Sequence, residues 1–527
     1  MVPFGNTTTV ASLVRRAAAL HRDRLAIIDG DRRITYGQLG ERSNRLANAL
    51  IGLGLTKGDR VGILSSNRAE YIEIDFALAK AGLVRVPLYA RNSPREHLHF
   101  IEDSQLNGLI VESKLMGDLV EATNGRPDEA VAVLVSMGKS EFPCHEYEEL
   151  IAQASGTDPA VPVAGSDLCQ IRYTAGTTGL PKGAATTHVA TATAVLGNVY
   201  AQSHDGGLRA EERILHLSPF SHAGGFFVPG HSWVGMTHVI MHGWDAEMFL
   251  RLVQEEHVSA TLVVPTMISV LIEQPELLDR YDVSSLRCFS YSAAPIAPTL
   301  LERAVERFGA VFNQGWGLSE SPSFCTLLPS GDHRLSEPEL LSSCGFALPW
   351  VDLEILDDDG QPLPPGEVGE IAVRGPQLME GYVGQPEATA RALEGGWLTT
   401  GDVGTIDERG YMYIRDRKGY LIISGGFNIW PAEVEDALAT HPAVVECAVV
   451  GMPDEKWGDI VCAVVRCKLG QRPTEQELTD HCRLSLASYK KPKQVIIVDE
   501  PLPKSEAGKI AKSDIKALVE SLRPATP

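Results

Sequence analysis

The sequence predicts an α/β protein: a large N-terminal domain of open αβ sheets carrying a small β unit, followed by a mobile α+β domain. Three observations predict it. Strand-like and helix-like segments alternate through residues 35–112, the pattern of a mostly parallel sheet covered by helices. From about Val351 the texture changes to short alternating runs between Gly, Pro and Asp turns. Charge is uneven as well. Residues 417–527 hold 15 basic and 15 acidic side chains, whereas residues 1–416 hold 32 and 53, so the whole formal charge of −21 lies in the larger part. Bulk charge does not hold a neutral body to an acidic one, so residues 1–416 and 417–527 are read as two domains, the second mobile.

The elements follow in order. Val10–Leu20, with Arg15 and Arg16 inside it, is patterned as an amphipathic helix, a transit peptide being the alternative. Leu46, Ala49, Leu50 and Leu53 recur at i, i+3, i+4, i+7 and form one helix face. Gly58-Asp59 turns the chain into Val61-Gly62-Ile63-Leu64, a buried strand. Residues 70–81 form a helix closed by Gly82. Val84-Arg85-Val86-Pro87 and Leu109-Ile110-Val111 are further strands, and the pattern resumes at Ile214-Leu215-His216-Leu217, Leu262-Val263-Val264 and Ala310-Val311-Phe312. In such sheets a ligand sits beyond the carboxyl ends of the strands. Glu370-Ile371-Ala372-Val373 and Tyr411-Met412-Tyr413-Ile414 belong to the small β unit, joined by the turn-rich residues 362–369. The last 110 residues mix strands (Ala448-Val449-Val450, Ala463-Val464-Val465) with helices over 432–439 and 475–486.

Composition excludes several classes. Apolar residues make up 44% of the 527, too many for a disordered chain. The acidic balance argues against nucleic acid or an anionic membrane as partner. Residues 224–244, the most apolar long stretch, are interrupted by His231, His238 and His242, so no membrane span is expected. Nine Cys with no CxxC point away from a disulfide scaffold and towards a reducing, cytoplasmic setting.

The strongest local signal is Tyr173-Thr174-Ala175-Gly176-Thr177-Thr178-Gly179-Leu180-Pro181-Lys182-Gly183, after the strand-like Gln170-Ile171-Arg172. Glycines allow close backbone approach, successive N–H groups can form an anion-binding concavity, and Thr hydroxyls and Lys182 add donors and charge. The spacing departs from the Walker pattern. On residue chemistry alone, phosphate binding and a plain connector both stand.

This loop resembles the phosphate-binding signature of the adenylate-forming superfamily, which includes acyl-CoA synthetases, luciferase-like enzymes and peptide-synthetase adenylation domains. The other family segments follow in order: Gln314-Gly315-Trp316-Gly317-Leu318-Ser319-Glu320, Gly396-Trp397-Leu398-Thr399-Thr400-Gly401-Asp402, Asp416-Arg417, Gly425-Gly426-Phe427-Asn428-Ile429-Trp430-Pro431, and Pro503-Lys504-Ser505-Glu506-Ala507-Gly508-Lys509-Ile510. The similarity runs from about Thr35 to Lys512.

The resemblance implies roles for residues. Thr174, Gly176, Thr177, Thr178, Gly179 and Lys182 would hold the phosphates of ATP, and Glu320 would ligate Mg²⁺. Ser319, where the family usually has Thr, would reach the α-phosphate. Trp316, in place of a usual Tyr, would stack on adenine between Gly315 and Gly317, with Ala293, Ala294 and Pro295 beside it. Asp402 would accept from the ribose hydroxyls and Arg417 would donate to ribose or phosphate. Lys509 would neutralise charge as the acid attacks the α-phosphate. His222, Gly224, Phe226, Ser292 and Gly315 would form the acyl pocket. Ser424, Gly425 and Gly426 would border the coenzyme A path.

Among branches, the AMP-forming acid–coenzyme A ligases fit best. The His222 segment lacks the acidic residue that peptide-synthetase domains use to hold an amine, and only 18 residues follow Lys509. ATP, Mg²⁺ and coenzyme A are the implied cofactors, and a homodimer is compatible with the family. Two departures keep alternatives open. The hinge reads Arg417-Lys418-Gly419-Tyr420, with Gly419 at a usually polar pivot, and Ala175 replaces a common Ser. An enzyme that adenylates poorly and uses preformed acyl-AMP is one alternative; a degenerate, non-catalytic nucleotide or acyl binder is the other. The acid itself is open among medium-chain, aryl and bulky alicyclic classes.

Overall fold

A computed structural model describes residues 8–174, 181–203, 207–294, 296–424, 427–454, 456–504 and 510–522. Two large sheets dominate. The nine-stranded sheet runs, edge to edge, Phe346–Ala347, Ser323–Leu328, Phe312–Leu318, Cys288–Tyr291, Ala260–Val263, Arg213–His216, Thr237–Ile240, Leu25–Asp29 and Arg32–Thr35. The eight-stranded sheet runs Gly381–Tyr382, Lys182–Thr187, Leu168–Thr174, Val84–Leu88, Arg60–Leu64, Gly108–Glu112, Val133–Met137 and His145–Glu146. Central strands of both pair in parallel; both edges of the nine-stranded sheet and the Gly381–Tyr382 edge of the other are antiparallel, while the His145–Glu146 edge is parallel. The parallel strands are buried along their length because helices cover both faces, which is why they read as continuous apolar runs.

Helix boundaries have local causes. Thr35 and Ser93 form capping boxes at the starts of Tyr36–Gly52 and Pro94–Asp103. Ala69–Ala81 ends where Gly82 adopts φ +68°, a left-handed conformation that carries little cost without a Cβ. The predicted helix at Val10–Leu20 spans those residues. Helix Gly224–Val234 packs beside His188–Ser203 and points its first turn towards the strand Arg213–His216.

The small β unit is a four-stranded antiparallel sheet, Asp352–Leu356, Gly369–Arg374, Leu398–Ile406 and Met412–Arg417. The C-terminal sheet is built on Val444–Asp454 and Gly458–Cys467, with Gln494–Val498 parallel to the latter. Helices Pro431–Ala439 and Lys512–Leu522 bury apolar faces against it.

Three expectations shift. The strand expected at Ala310 begins at Phe312, because the turn after Gly309 (φ +81°) takes up the preceding residues, with Val311 N–H on the Gly309 carbonyl. The strand expected through Leu217 ends at His216. The helix expected to reach Leu486 stops at Cys482: Leu484 faces solvent, and Leu486 packs against the C-terminal core from the turn that follows rather than from the helix.

Candidate active site

One carboxylate organises the nucleotide side. Asp402 on Leu398–Ile406 pairs across the ladder with Arg417 on Met412–Arg417, and Arg417 Nε lies 2.9 Å from Asp402 Oδ1. Trp316, on the strand Phe312–Leu318 of the nine-stranded sheet, donates Nε1–H to Asp402 Oδ2 at 3.1 Å. The small sheet and the large one thus meet at Asp402, which is 8% exposed. Each oxygen takes one donor. A carboxylate has about four acceptor positions, which leaves capacity for a diol. The glycines that flank Trp316 do not open space. A Cβ on Gly315 would lie 2.2 Å from the Phe324 ring, and one on Gly317 would lie 2.0 Å from the Ser323 carbonyl oxygen. They admit the neighbouring strand, and the indole is buried.

A second cluster joins residues far apart in the chain. Lys182 opens the strand Lys182–Thr187, whose antiparallel neighbour Gly381–Tyr382 brings Tyr382 within reach; Lys182 Nζ is 5.2 Å from the Tyr382 ring centroid. Tyr382 donates its hydroxyl to Glu320 Oε1 at 2.7 Å. Burial pushes the Tyr382 hydroxyl pKa up, and the Glu320 charge pushes it further, so the phenol stays a donor. Tyr382 has no motif of its own, and sequence reading missed it; only strand pairing places it. Ser319 is half-buried beside Glu320, and Thr174 pairs with Lys182 across the mouth of the loop. Gly176, Thr177, Thr178 and Gly179 lie outside the described residues, as does Ala175.

The described residues contain no group of three or more His, Cys, Asp or Glu side chains able to hold a metal. A lone carboxylate such as Glu320 suits Mg²⁺, which keeps waters and substrate phosphate oxygens as its other ligands.

Between the two clusters the backbone is strained. Ala293 sits at φ +75°, where a side chain costs roughly 1–2 kcal/mol. Ser292 next to it donates its hydroxyl to the Gly315 carbonyl at 2.6 Å, tying adjacent strand ends together. Ala294 follows in the same turn; Pro295 lies outside the described residues.

The acyl side has a different character. His222 stacks on Tyr89 with ring centroids 3.8 Å apart. Gly224 is needed by the turn before it, since a Cβ there would lie 2.3 Å from the Ser218 carbonyl oxygen. Phe226 lies over the Arg172 guanidinium at 3.7 Å. Arg172 is 3% exposed, and its Nε and Nη1 have no hydrogen-bond partner among the described residues. The nearby Asp75 is engaged by Arg85 at 2.6 Å, so the pocket holds two guanidinium groups for one carboxylate. Burial pushes the Arg172 pKa down to about 10. Sequence reading passed over Arg172 as one residue of a strand; the signal was a charge in an otherwise buried run. A narrow cavity beside this wall is lined by His216, Leu217, Ser218, Gly224, Phe227 and Leu262.

The expected hinge lies between Met412–Arg417 of the small sheet and Ile422–Ser424 of the C-terminal sheet. Gly419 lies in the single turn Lys418–Tyr420, with nothing within 4 Å of where its Cβ would be. Lys418 reaches Asp358 and Glu370 of the small sheet, both at 3.1 Å, and Lys512 lies 5.1 Å from the Tyr420 ring centroid. Asp416 accepts the Ala432 N–H at 3.0 Å, at the start of helix Pro431–Ala439. Ser424 is buried and paired with Phe427. Gly425, Gly426 and Lys509 lie outside the described residues; Lys504 and Ile510, which flank Lys509, form an antiparallel bridge.

Comparison with known proteins agrees with this arrangement. Residues 14–383 match the family model for AMP-binding enzymes, and residues 433–509 match the model for the AMP-binding enzyme C-terminal domain. A feruloyl-CoA synthase of Amycolatopsis is 36% identical, over 95% of this chain and 97% of its own. A medium/long-chain-fatty-acid–CoA ligase of Mycobacterium tuberculosis is 34% identical, over 94% of this chain and 88% of its own. The crystal structure of an anthranilate CoA ligase in complex with anthranoyl-AMP superimposes with a TM-score of 0.88 at 27% identity, covering 98% of both chains.

Proposed function

The chain belongs to the family of AMP-binding enzymes and is an AMP-forming acid–thiol ligase, and we propose how its own residues divide the work. The overall reaction uses ATP, Mg²⁺ and coenzyme A. In the first step an acid carboxylate attacks the α-phosphorus of ATP, giving acyl-AMP and pyrophosphate. In the second the thiol of coenzyme A attacks the acyl carbon, AMP leaves, and one proton is released.

In this reading Lys182, with Thr177 and Thr178, neutralises and orients the β- and γ-phosphates. Ser319 donates to the α-phosphate, and Glu320, aligned by Tyr382, holds the metal. Mg²⁺, when bound, neutralises phosphate charge. Asp402 accepts the ribose hydroxyls while Trp316 and Arg417 fix its orientation. Lys509 is brought in for adenylation only. The chemistry is mostly positioning plus electrostatics, so each aligned charge counts. The observation that carries the reading is the convergence of Trp316 and Arg417, from two sheets, on the Asp402 carboxylate.

Residues 1–416 act as the adenylating body, and residues 417–527 turn about Gly419 between a pose that presents Lys509 and one that opens a pantetheine path past Ser424, Gly425 and Gly426. The exposed, uncrowded setting of Gly419 supports a pivot there. Nine cysteines held as thiols rather than disulfides support a reducing, cytoplasmic setting. Relatives named for fatty acids and for ferulate span chain and aryl acids, so likeness leaves the acid class open.

The test measures the half-reactions separately: acid-dependent pyrophosphate release over a panel of acids, and thioester formation from a matching panel of acyl-AMPs. Both half-reactions at comparable rates are expected. Thioester formation without acid-dependent pyrophosphate release would overturn the full two-step assignment.

A further inference from the structure

Behind the acyl wall, five side chains from two helices and two strands join in one hydrogen-bonded chain. His231 Nδ1 meets the Phe227 carbonyl at 2.6 Å, and its Nε2 meets the side-chain amide of Gln202 at 2.5 Å. Gln202 Nε2 donates to Ser290 Oγ at 2.9 Å, Ser290 donates to Asn313 Oδ1 at 2.6 Å, and Asn313 Nδ2 donates to Cys288 Sγ at 3.1 Å. All five side chains are buried. Burial lowers the His231 pKa to about 4, so the imidazole is neutral. Both His231 contacts are to oxygens, the Phe227 carbonyl and Gln202 Oε1, and the one proton of the neutral ring serves one of them.

The position of this chain follows from the strand period. Ser292 and Gly315, joined at the cleft, are each two residues beyond Ser290 and Asn313, which are direct partners in the parallel ladder. Residues two apart share a face. Ser290 and Asn313 are therefore the next rung inward, about 7 Å deeper along the strands. Cavities lie on either side. The inner one includes Leu262, the ladder partner of Ser290, with Phe227 and Gly224. The outer one is lined by Gln202, Cys288 and Asn313 and by Glu212 and Arg287. An acyl chain entering from Ser292 and Gly315 meets the polar chain before it can reach the outer cavity.

Resting on the ligase reading, we propose that His231, Gln202, Ser290, Asn313 and Cys288 form a polar stop that sets the depth of the acyl pocket and reads an oxygen function at the far end of the acid. The substrate class is a compact or ring-containing carboxylic acid with a distal hydroxyl or carbonyl, as against an unfunctionalised long chain. An alkyl chain pushing through would separate buried amide and hydroxyl groups and leave them unpaired, which is costly. A substrate hydroxyl or carbonyl at that depth can join the chain instead. Ser290 and Gln202 are the specificity-determining positions.

The experiment compares kcat/KM for acid-dependent pyrophosphate release in the full-length enzyme. The probes are straight-chain acids from butanoate to hexadecanoate, and two pairs: para-hydroxybenzoate against benzoate, and para-hydroxyphenylpropanoate against phenylpropanoate. Wild type is expected to favour the hydroxylated member of a pair by about tenfold and to fall off steeply with alkyl length. Gln202→Leu with Ser290→Ala should move the alkyl optimum to longer chains by about tenfold in relative kcat/KM and abolish the hydroxyl preference, with KM for ATP unchanged. Ser290→Ala alone, which changes volume least, should reduce the hydroxyl preference three- to tenfold and serves if the double variant does not fold. An unchanged ratio within the pairs and an unchanged length profile in a folded variant would overturn the proposal while leaving the ligase reading intact. A wild-type enzyme that adenylates no acid of the panel yet forms thioester from acyl-AMP would instead remove the adenylation reading, and this proposal with it.

Discussion

The two walls of the cleft solve opposite problems. On the nucleotide side, the key carboxylates are engaged by near neighbours: Asp402 takes one donor on each oxygen, and Glu320 is aligned by Tyr382. On the acyl side, the polar groups are buried deeper and paired less completely. Arg172 has a phenyl face in place of a carboxylate, and a chain of five side chains crosses what would be the acyl path. In the proposed reading the first wall meets the same nucleotide in every turnover, so its groups are fixed by one ligand's geometry. The second meets the acid, and there this chain differs from a plain apolar tunnel.

The sharpest way to separate the walls is Lys509→Ala. It should lower acid-dependent pyrophosphate release by roughly 100- to 1,000-fold, the usual loss for one aligned electrostatic group, and leave thioester formation from supplied acyl-AMP near wild type. Equal losses in both half-reactions would mean that one pose serves both steps. Asp402→Ala should cost about 10- to 100-fold in both half-reactions, because charged hydrogen bonds to ribose are held throughout. Calorimetry with AMP checks it, and unchanged affinity would remove Asp402 from the ribose role.

The acyl wall makes the larger body acid-sensitive. His231 has its pKa lowered by burial from 6.5 to about 4. The unfolded chain therefore binds the extra proton first as pH falls. Stability present above pH 6.5 is lost progressively down to about 4, and at pH 5 His231 alone removes about 2 kcal/mol. His238 and His188 act in the same direction. Every buried histidine among the described residues lies in the large body, so hydrogen exchange at pH 5 should show its protection falling before that of the C-terminal sheet. The reverse order would contradict the contrast drawn here. The smallest effect is at the boundary between the walls: Ala293→Gly should raise stability by about 1 kcal/mol by relieving the left-handed alanine, read as a small upward shift in Tm. A lowered Tm would mean that the Ala293 methyl packs productively.

Much of the fold was legible because it depends on local period. Ala69–Ala81 and its closing Gly82, the strand Arg60–Leu64 and the small antiparallel sheet all follow from spacing within a few residues. The errors fell at ends, as at Cys482, where the apolar pattern runs on after the helix has stopped. Within the site, Asp402, Trp316 and Arg417 were legible as separate motifs, and their meeting is a matter of strand register.

The sequence by itself determined the alternation of strands and helices, the uneven spread of charge, and the motifs that carry Lys182, Glu320 and Asp402, because each is written in contiguous residues with a fixed chemistry. Only the tertiary structure decided that Tyr382 aligns Glu320, that Phe324 fills the space beside Gly315, that Arg172 lies against Phe226, and that His231, Gln202, Ser290, Asn313 and Cys288 form one chain. The physical reason is that a buried polar group takes its partner from whatever segment packs against it, and that segment is chosen by the fold as a whole.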